Sequence, residues 1–201
     1  KLIIALHPES ERGQAVRAQD SARSTVLHHA AYSGDFDCID TILAVYPESE
    51  RSQTLCMRDH RGQTPLHIAA SFNNVECIKS ILVLYPESDL SRVVLCQDRH
   101  GTHALHRAAW VGNIECIKAI LAVLQDSERL YAMSVQDMFG RTVLHWAVKS
   151  NNLECIDAIL EIYPESEWLR AACTQDQKGR IVMHYASRLG NFESIEKMLS
   201  N

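Results

Sequence analysis

The sequence predicts an all-α solenoid built from stacked repeats, and two observations carry this prediction. Histidines fall at positions 28, 67, 106, 145 and 184, so each step is 39 residues, and an apolar helical motif surrounds each of them. Glycine or asparagine recurs at the same interval at positions 34, 73, 112, 151 and 190. A fixed period between about 20 and 50 residues is typical of a stacked-repeat architecture.

The first helix of each unit is best seen in the copy that begins at Thr64. Threonine is a good N-cap, and Pro65 suits the first helical position because an amide there has no intrahelical partner. We expect this helix to run through about Phe72. Glycine and asparagine enter the left-handed conformation at low cost, so the next position predicts a tight turn in every unit: Gly34, Asn73, Gly112, Asn151 and Gly190.

A second helix is predicted from about Val75 to Leu84. Val75, Ile78, Ile81 and Leu82 recur at helical spacing, so they share one apolar face. The short turn before Val75 then makes the two helices of a unit antiparallel. We expect these residues and their equivalents, together with Leu66 and Ala69, to form one continuous core.

Four of the five units open with a third signal, an aspartate three residues before a glycine. The pairs are Asp59 and Gly62, Asp98 and Gly101, Asp137 and Gly140, and Asp176 and Gly179. Aspartate followed by a turn glycine predicts a hairpin-like loop with one residue at positive φ. We call each of these loops a finger.

The full pattern, Asp-x-x-Gly-x-Thr-Pro-Leu-His-x-Ala-Ala, resembles the ankyrin repeat. The resemblance covers nearly the whole chain in five phased copies. It implies a β-hairpin finger followed by an inner and an outer helix. It also implies that the histidine ring hydrogen-bonds backbone and braces the neighbouring finger, and that each unit contributes to a concave binding groove.

The repeat length departs from that family. An ordinary ankyrin unit has about 33 residues, whereas these units have 39. The additional residues contain Tyr-Pro-Glu-Ser segments beginning at Tyr46, Tyr85 and Tyr163, with a variant beginning at Leu124. Proline ends one helix and can take the first position of another, and acidic residues favour that new N-terminus. We therefore predict an extra short helix in each repeat, from Pro47 to about Leu55 in the first.

The repeat phase predicts one array over residues 1–201. Residues 1–19 form a partial N-terminal unit, 20–58, 59–97, 98–136 and 137–175 are full repeats, and 176–201 form a C-terminal partial repeat. By phase, residues 1–6 and the last residues before Asn201 both belong to outer helices. Half units at both ends indicate a piece of a longer protein.

The histidines and cysteines allow two catalytic or metal-binding interpretations. His67 stands ten residues before Cys77, and the interval recurs in three other units. Cysteine with histidine can form a nucleophile and base, or a zinc site. The resemblance instead implies a structural histidine and a core cysteine. Since Cys-x-x-Cys, P-loop, Gly-x-Ser-x-Gly and His-Glu-x-x-His patterns are absent, we expect no enzyme activity, cofactor or metal.

Composition and cysteine usage bear on location. No apolar run approaches the roughly 18 residues that span a bilayer, so we expect no membrane insertion. Seven cysteines, four of them 39 residues apart in apolar helical stretches, are typical of reduced thiols in a reducing compartment. We expect a cytoplasmic, intracellular protein, in the host cytosol if it is a secreted bacterial effector.

The resemblance also implies which residues meet a partner, because fingers and inner helices line the groove in that family. Carried over position by position, the candidates are Arg61, Phe72, Arg99, His100, Trp110, Met138, Phe139, Arg141, Lys149, Lys178, Arg180 and Arg188. Aromatic residues, methionine and arginine are enriched at interface hot spots. The alternative is that Phe72, Trp110 and Leu189 are partial core.

The two sides of the predicted array differ in net charge. The finger and inner-helix segments (20–33, 59–72, 98–111, 137–150 and 176–189) hold nine bases and five acids, a net charge of +4. The remainder holds eleven bases and twenty acids, a net charge of −9, which gives −5 for the chain. If the finger aspartates are held in their own loops, the groove is more basic still.

A basic groove on an acidic chain predicts steering of an acidic partner. We therefore expect a protein–protein interaction module that binds an acidic, partly extended segment, and no small-molecule substrate. Nucleic acid is a weaker alternative, given the net charge of −5. Two others stay open: a targeting or substrate-recruiting array of a larger enzyme or bacterial effector, and an architectural spacer. The Pro-Glu-Ser segments are either spacers or a second docking surface.

Overall fold

The computed structural model describes residues 14, 16–44, 48–193 and 196. Within these residues the chain forms thirteen helices and no strand. The predicted helices at residues 1–6 and at the C-terminal end lie outside the described residues, as does Pro47. An all-α repeat solenoid is confirmed for the described part of the chain.

Three helices recur in each repeat. In chain order they are α1 (Val26–Ser33), α2 (Phe36–Leu43), α3 (Glu48–Leu55), α4 (Pro65–Ser71), α5 (Val75–Leu82), α6 (Glu87–Val94), α7 (Ala104–Val111), α8 (Ile114–Leu121), α9 (Asp126–Ser134), α10 (Val143–Ser150), α11 (Leu153–Leu160), α12 (Glu165–Cys173) and α13 (Val182–Leu189). The inner helices are α1, α4, α7, α10 and α13. The outer helices are α2, α5, α8 and α11, and the extra helices are α3, α6, α9 and α12.

The turn between inner and outer helices has the predicted left-handed residue. Its φ is 80° at Gly34, 62° at Asn73, 77° at Gly112, 60° at Asn151 and 70° at Gly190. The residue after it then caps the outer helix in several units, as where the Asn152 side chain accepts the Cys155 amide at 2.9 Å. These caps fix where each outer helix begins.

Each finger is a tight loop closed on its aspartate. The Asp59 amide donates to the Gln63 carbonyl at 2.9 Å, and the Gly62 amide donates to the Asp59 carbonyl at 3.0 Å. Gly62 has a φ of 77°, and a Cβ there would lie 2.9 Å from the amide nitrogen of Arg99 in the next finger. Only glycine therefore allows the Arg99 amide to reach the Arg61 carbonyl at 3.0 Å.

The core runs along the whole array because each inner helix packs against the next. α4 lies against both α1 and α7, and α10 lies against both α7 and α13. Leu66, Ala69, Ile78, Ile81 and Leu82 are all buried, as the sequence predicts. The small Ala69 and its equivalents let neighbouring inner helices approach closely.

A histidine in each of the first four inner helices joins its own N-cap to the following finger. The Thr64 amide donates to His67 Nδ1 at 3.2 Å, so Nδ1 is an acceptor and the proton sits on Nε2. Nε2 then donates to the Thr102 carbonyl at 3.0 Å. His28, His106 and His145 make the same contact with the next finger, to the carbonyls of Gln63, Arg141 and Arg180.

Two more side-chain ladders tie successive repeats together. Gln19, Arg58, Gln97 and Gln136 each donate to the backbone carbonyl 39 residues later. At the opposite end of each unit after the first, an asparagine side chain bonds to the preceding repeat, as where Asn74 Nδ2 donates to the Ala31 carbonyl at 2.7 Å. Because such bonds recur along the described array, each interface is held by side chains as well as by apolar packing.

The extra helices differ slightly from the prediction. Pro86 and Pro164 take the N-cap position rather than the first helical position, and the outer helix α5 ends at Leu82 rather than Leu84. Each extra helix buries its last turn, as Val93 and Val94 show. The tyrosine before the proline links its repeat to the preceding extra helix, since the Tyr163 hydroxyl donates to the Met133 carbonyl of α9 at 3.2 Å.

The bridging histidine should contribute to the stability of the array. His67→Ala should lower the free energy of unfolding by about 2 kcal/mol, because a buried ring loses its bonds to Thr64 and Thr102. Denaturant unfolding followed by circular dichroism measures this loss. The matched control is His184→Ala, whose ring is exposed and whose removal should cost less than about 0.5 kcal/mol. Equal losses in the two variants would contradict the bridging role.

The same rings predict a pH dependence. Burial lowers the pKa of both His67 and His106 to about 4, against about 6.5 in an unfolded chain. The unfolded state therefore binds more protons, and stability should fall as pH drops from about 6.5 towards about 4. Thermal melts across this range measure it. A control with exposed His60, His100 and His184 changed to glutamine should keep the slope, and a flat profile would refute the explanation.

Candidate partner-binding face

The predicted contact residues lie on the fingers and the inner helices, and we call this surface the inner face. Most of them are exposed: Arg61, Phe72, Arg99, His100, Trp110, Met138, Phe139, Lys178 and Arg188. Lys149, Arg141 and Arg180 are half-buried. Nine of the twelve candidates are therefore exposed.

Aromatic residues of neighbouring repeats pair along the inner face. The Tyr32 and Phe72 rings lie 4.4 Å apart in an edge-on arrangement, and Phe72 is still 48% exposed. Trp110 is 44% exposed and Leu189 is also 44% exposed. Each of these three side chains therefore keeps an open apolar surface, and Phe72 also packs on its neighbour.

Two tryptophans hold a lysine at the centre of the inner face. Trp110 and Trp146 lie 5.5 Å apart at 90°, and the Lys149 ammonium is 4.8 Å from the first ring and 4.9 Å from the second. Burial, together with the nearby positive charge of Arg141, lowers the pKa of Lys149. An anion placed here would stabilise the charged ammonium.

Arg141 is engaged within its own repeat. Its Nε donates to Asp137 Oδ2 at 2.8 Å and its Nη2 lies 2.7 Å from the same oxygen. The guanidinium also stacks 4.6 Å from the Phe139 ring and 4.3 Å from the Trp146 ring. Its side chain is only 12% exposed. Little of the Arg141 guanidinium is therefore accessible to a partner.

Arg180 and Arg107 are also paired with finger aspartates. Arg180 contacts Asp176 at 2.6 Å, and Arg107 donates to Asp98. Burial alone would raise the pKa of Asp176, but hydrogen bonds from Arg180, Tyr185 and the loop amides outweigh it and lower that pKa. The loop amides do hold each aspartate, as expected, and these arginines add a second contact to it. Three of the nine basic residues, Arg107, Arg141 and Arg180, therefore form ion pairs with finger aspartates.

The sequence reasoning missed one set of inner-face residues, those nine positions after the finger aspartate. In four repeats they bond to that aspartate: His29, Arg107, Trp146 and Tyr185. The fifth residue of this set, Ile68, has no polar atom in its side chain. This is the variable position between histidine and alanine in the motif, and its variation was the available signal.

The alternative of a histidine–cysteine dyad does not fit the geometry. Both nitrogens of His67 are engaged with Thr64 and Thr102, and Cys77 is fully buried. Burial raises the pKa of the Cys77 thiol to about 11 and that of Cys155 to about 12. The ring is thus not aimed at the thiol, and the thiol stays protonated at neutral pH.

The described part of the chain offers neither a metal site nor a membrane-spanning helix. No group of three or more histidine, cysteine, aspartate or glutamate side chains is arranged to hold a metal ion. No helix there combines the length and apolar character that crossing a membrane requires.

Comparison with known families agrees with the repeat geometry. A family model described as ankyrin repeats (3 copies) matches residues 2–93, 27–129 and 123–201, which together cover almost the whole chain. The chain belongs to the ankyrin-repeat family. Ankyrin repeats are protein–protein interaction modules and typically non-enzymatic. A search of curated proteins found no relative that matches this ankyrin array.

The inner face of the ankyrin array yields a prediction about its paired arginines. Arg141→Ala should lower the free energy of unfolding by about 2 kcal/mol, because it leaves the buried Asp137 carboxylate without its cation. Arg61→Ala removes an exposed arginine and should cost less than about 0.5 kcal/mol. Guanidinium unfolding of both variants measures the difference. Equal stability of the two would show that the Asp137 pair contributes nothing.

Proposed function

We propose that the inner face binds an acidic, partly extended segment of a partner protein. The observation that carries the proposal is the set of basic side chains with no carboxylate at ion-pair distance among the described residues: Arg23, Arg61, Arg99, Lys149, Lys178 and Arg188. After the three internal pairs are discounted, these six cations remain on the inner face. They favour a ligand with carboxylates.

Apolar surface between the cations indicates what else the ligand carries. Phe72, Trp110, Met138 and Phe139 are each between 44% and 48% exposed. Large exposed apolar side chains among arginines are typical of interface hot spots. The ligand therefore needs apolar side chains between its acidic ones, and an unbroken acidic tract would leave these rings uncovered.

The length of the inner face favours an extended ligand. Tyr32 and Arg188 occupy the same position in the first and fifth inner helices, so four inter-helix steps separate them. Packed helices lie roughly 10 Å apart, which gives a face of roughly 40 Å. An extended chain covers about 3.3 Å per residue, so about 12 residues would follow the face from end to end.

The test uses a fluorescein-labelled 12-residue peptide of alternating glutamate and leucine, with fluorescence anisotropy as the readout. Arg99→Glu/Lys149→Glu should weaken binding at least about tenfold, because two cations become anions. Added salt should weaken wild-type binding. The matched control is Lys79→Glu/Lys118→Glu, which changes two exposed lysines of the outer helices. The proposal fails if the inner-face variant binds as tightly as the control.

A further inference from the structure

A cleft of about 680 Å³ opens on the outer side of the array, between the third and fourth repeats. Its walls come from the outer helix α8, the extra helix α9 and the turn between α11 and α12. Apolar side chains dominate the lining: Leu121, Leu130, Ile162, Tyr163 and Pro164. The cleft shares no residue with the inner face, and its volume lies in the range of ordinary ligand sites.

A change in the repeat sequence explains why this cleft is open. One interface earlier, two side-chain bonds tie the extra helices α6 and α9 together. Ser91 donates to Glu128, and Gln125 donates to Glu87 at 3.2 Å. The residues 39 positions after Ser91 and Gln125 are Leu130 and Pro164. Neither has a side-chain donor, so both bonds are lost between α9 and α12, and apolar surface takes their place.

The cleft continues in two directions along the outer side. A second cleft of about 410 Å³ lies between α9 and α12 and shares Leu130 and Tyr163 with the first. A third, of about 400 Å³, lies between α8 and α11 and shares Lys118, Glu161 and Ile162. Three connected clefts give a path long enough for several residues of a bound chain.

Three cations and five carboxylates line the three clefts, a net charge of −2: Lys118, Arg129 and Arg170, against Asp126, Glu154, Asp157, Glu161 and Glu167. Lys118 pairs with Glu115 at 3.3 Å, and Arg129 pairs with Asp126 at 3.0 Å. Glu154 and Glu161 line the path, are exposed, and have no cation at ion-pair distance in the described part of the chain. The local charge has the same sign as the −9 carried by everything outside the fingers and inner helices.

We propose that this outer cleft docks a basic segment of a second protein, anchored by an apolar side chain between α9 and the Tyr163 turn. The apolar walls receive the anchor, and Glu154 and Glu161, both on the α11 side, meet lysine or arginine next to it. This segment has the opposite charge to the inner-face ligand. The array would then hold two partners at once, each on a surface of complementary sign.

The test measures binding of a labelled peptide of leucine and lysine by fluorescence anisotropy, with a leucine–glutamate peptide for comparison. Leu130→Ser/Pro164→Gln rebuilds the donors of the preceding interface and should weaken lysine–leucine binding at least about tenfold. Gln125 already occupies this N-cap position in α9, so the fold should accept the change. Glu154→Lys/Glu161→Lys alters only exposed side chains and should weaken binding to a similar extent.

Three outcomes would overturn the proposal. Unchanged affinity in both cleft variants would show that the peptide binds elsewhere. Equal binding of the leucine–glutamate peptide to the cleft would remove the charge argument. A concentration-dependent dimer in analytical ultracentrifugation that Leu130→Ser/Pro164→Gln abolishes would make a second copy of the chain the occupant. The inner-face variant Arg99→Glu/Lys149→Glu should retain lysine–leucine binding, which separates this result from the proposed function.

Discussion

The hydrogen bond from the histidine of each of the first four inner helices to the next finger is the constraint on which the array depends. The ring of His67 accepts from its own N-cap and donates to the Thr102 carbonyl, so it must be neutral with its proton on Nε2. One side chain thereby fixes a helix start and the position of the following repeat. The fingers can then stack amide to carbonyl, and the exposed side chains between them fall at regular intervals along one face.

Sequence periodicity was enough to predict the repeated framework. Positions such as Gly62 and Asn73 need a left-handed backbone, and Ile78 or Leu82 need an apolar neighbour, whatever partner the protein binds. These demands recur in every unit, so a single sequence displays them several times. The extra helix was also predicted, because proline followed by acidic residues is a local signal that requires no knowledge of packing. The extra helices differ from the prediction only in that Pro86 and Pro164 take the N-cap position rather than the first helical position.

The candidate site was harder to predict because its chemistry lies in the positions that vary. Arg141 stands four residues after its finger aspartate and Arg61 two residues after its own, and the sequence does not show that only the first pairs with the carboxylate. Arg141 is paired with Asp137 and stacked on Trp146, whereas Arg61 is exposed. The outer cleft could not be predicted from the sequence for a similar reason. Leu130 and Pro164 are unremarkable until the bonds made by Ser91 and Gln125 show what they replace.

The ladders that join the repeats also have a mechanical consequence. Each bond of the Gln19, Arg58, Gln97 and Gln136 series reaches only the adjacent unit. Force applied along the array is therefore carried through one interface after another, as in springs connected in series, and the small elastic displacements of all interfaces add. A stack of this kind can bend and twist by summing slight adjustments, while every individual junction stays close to its resting geometry.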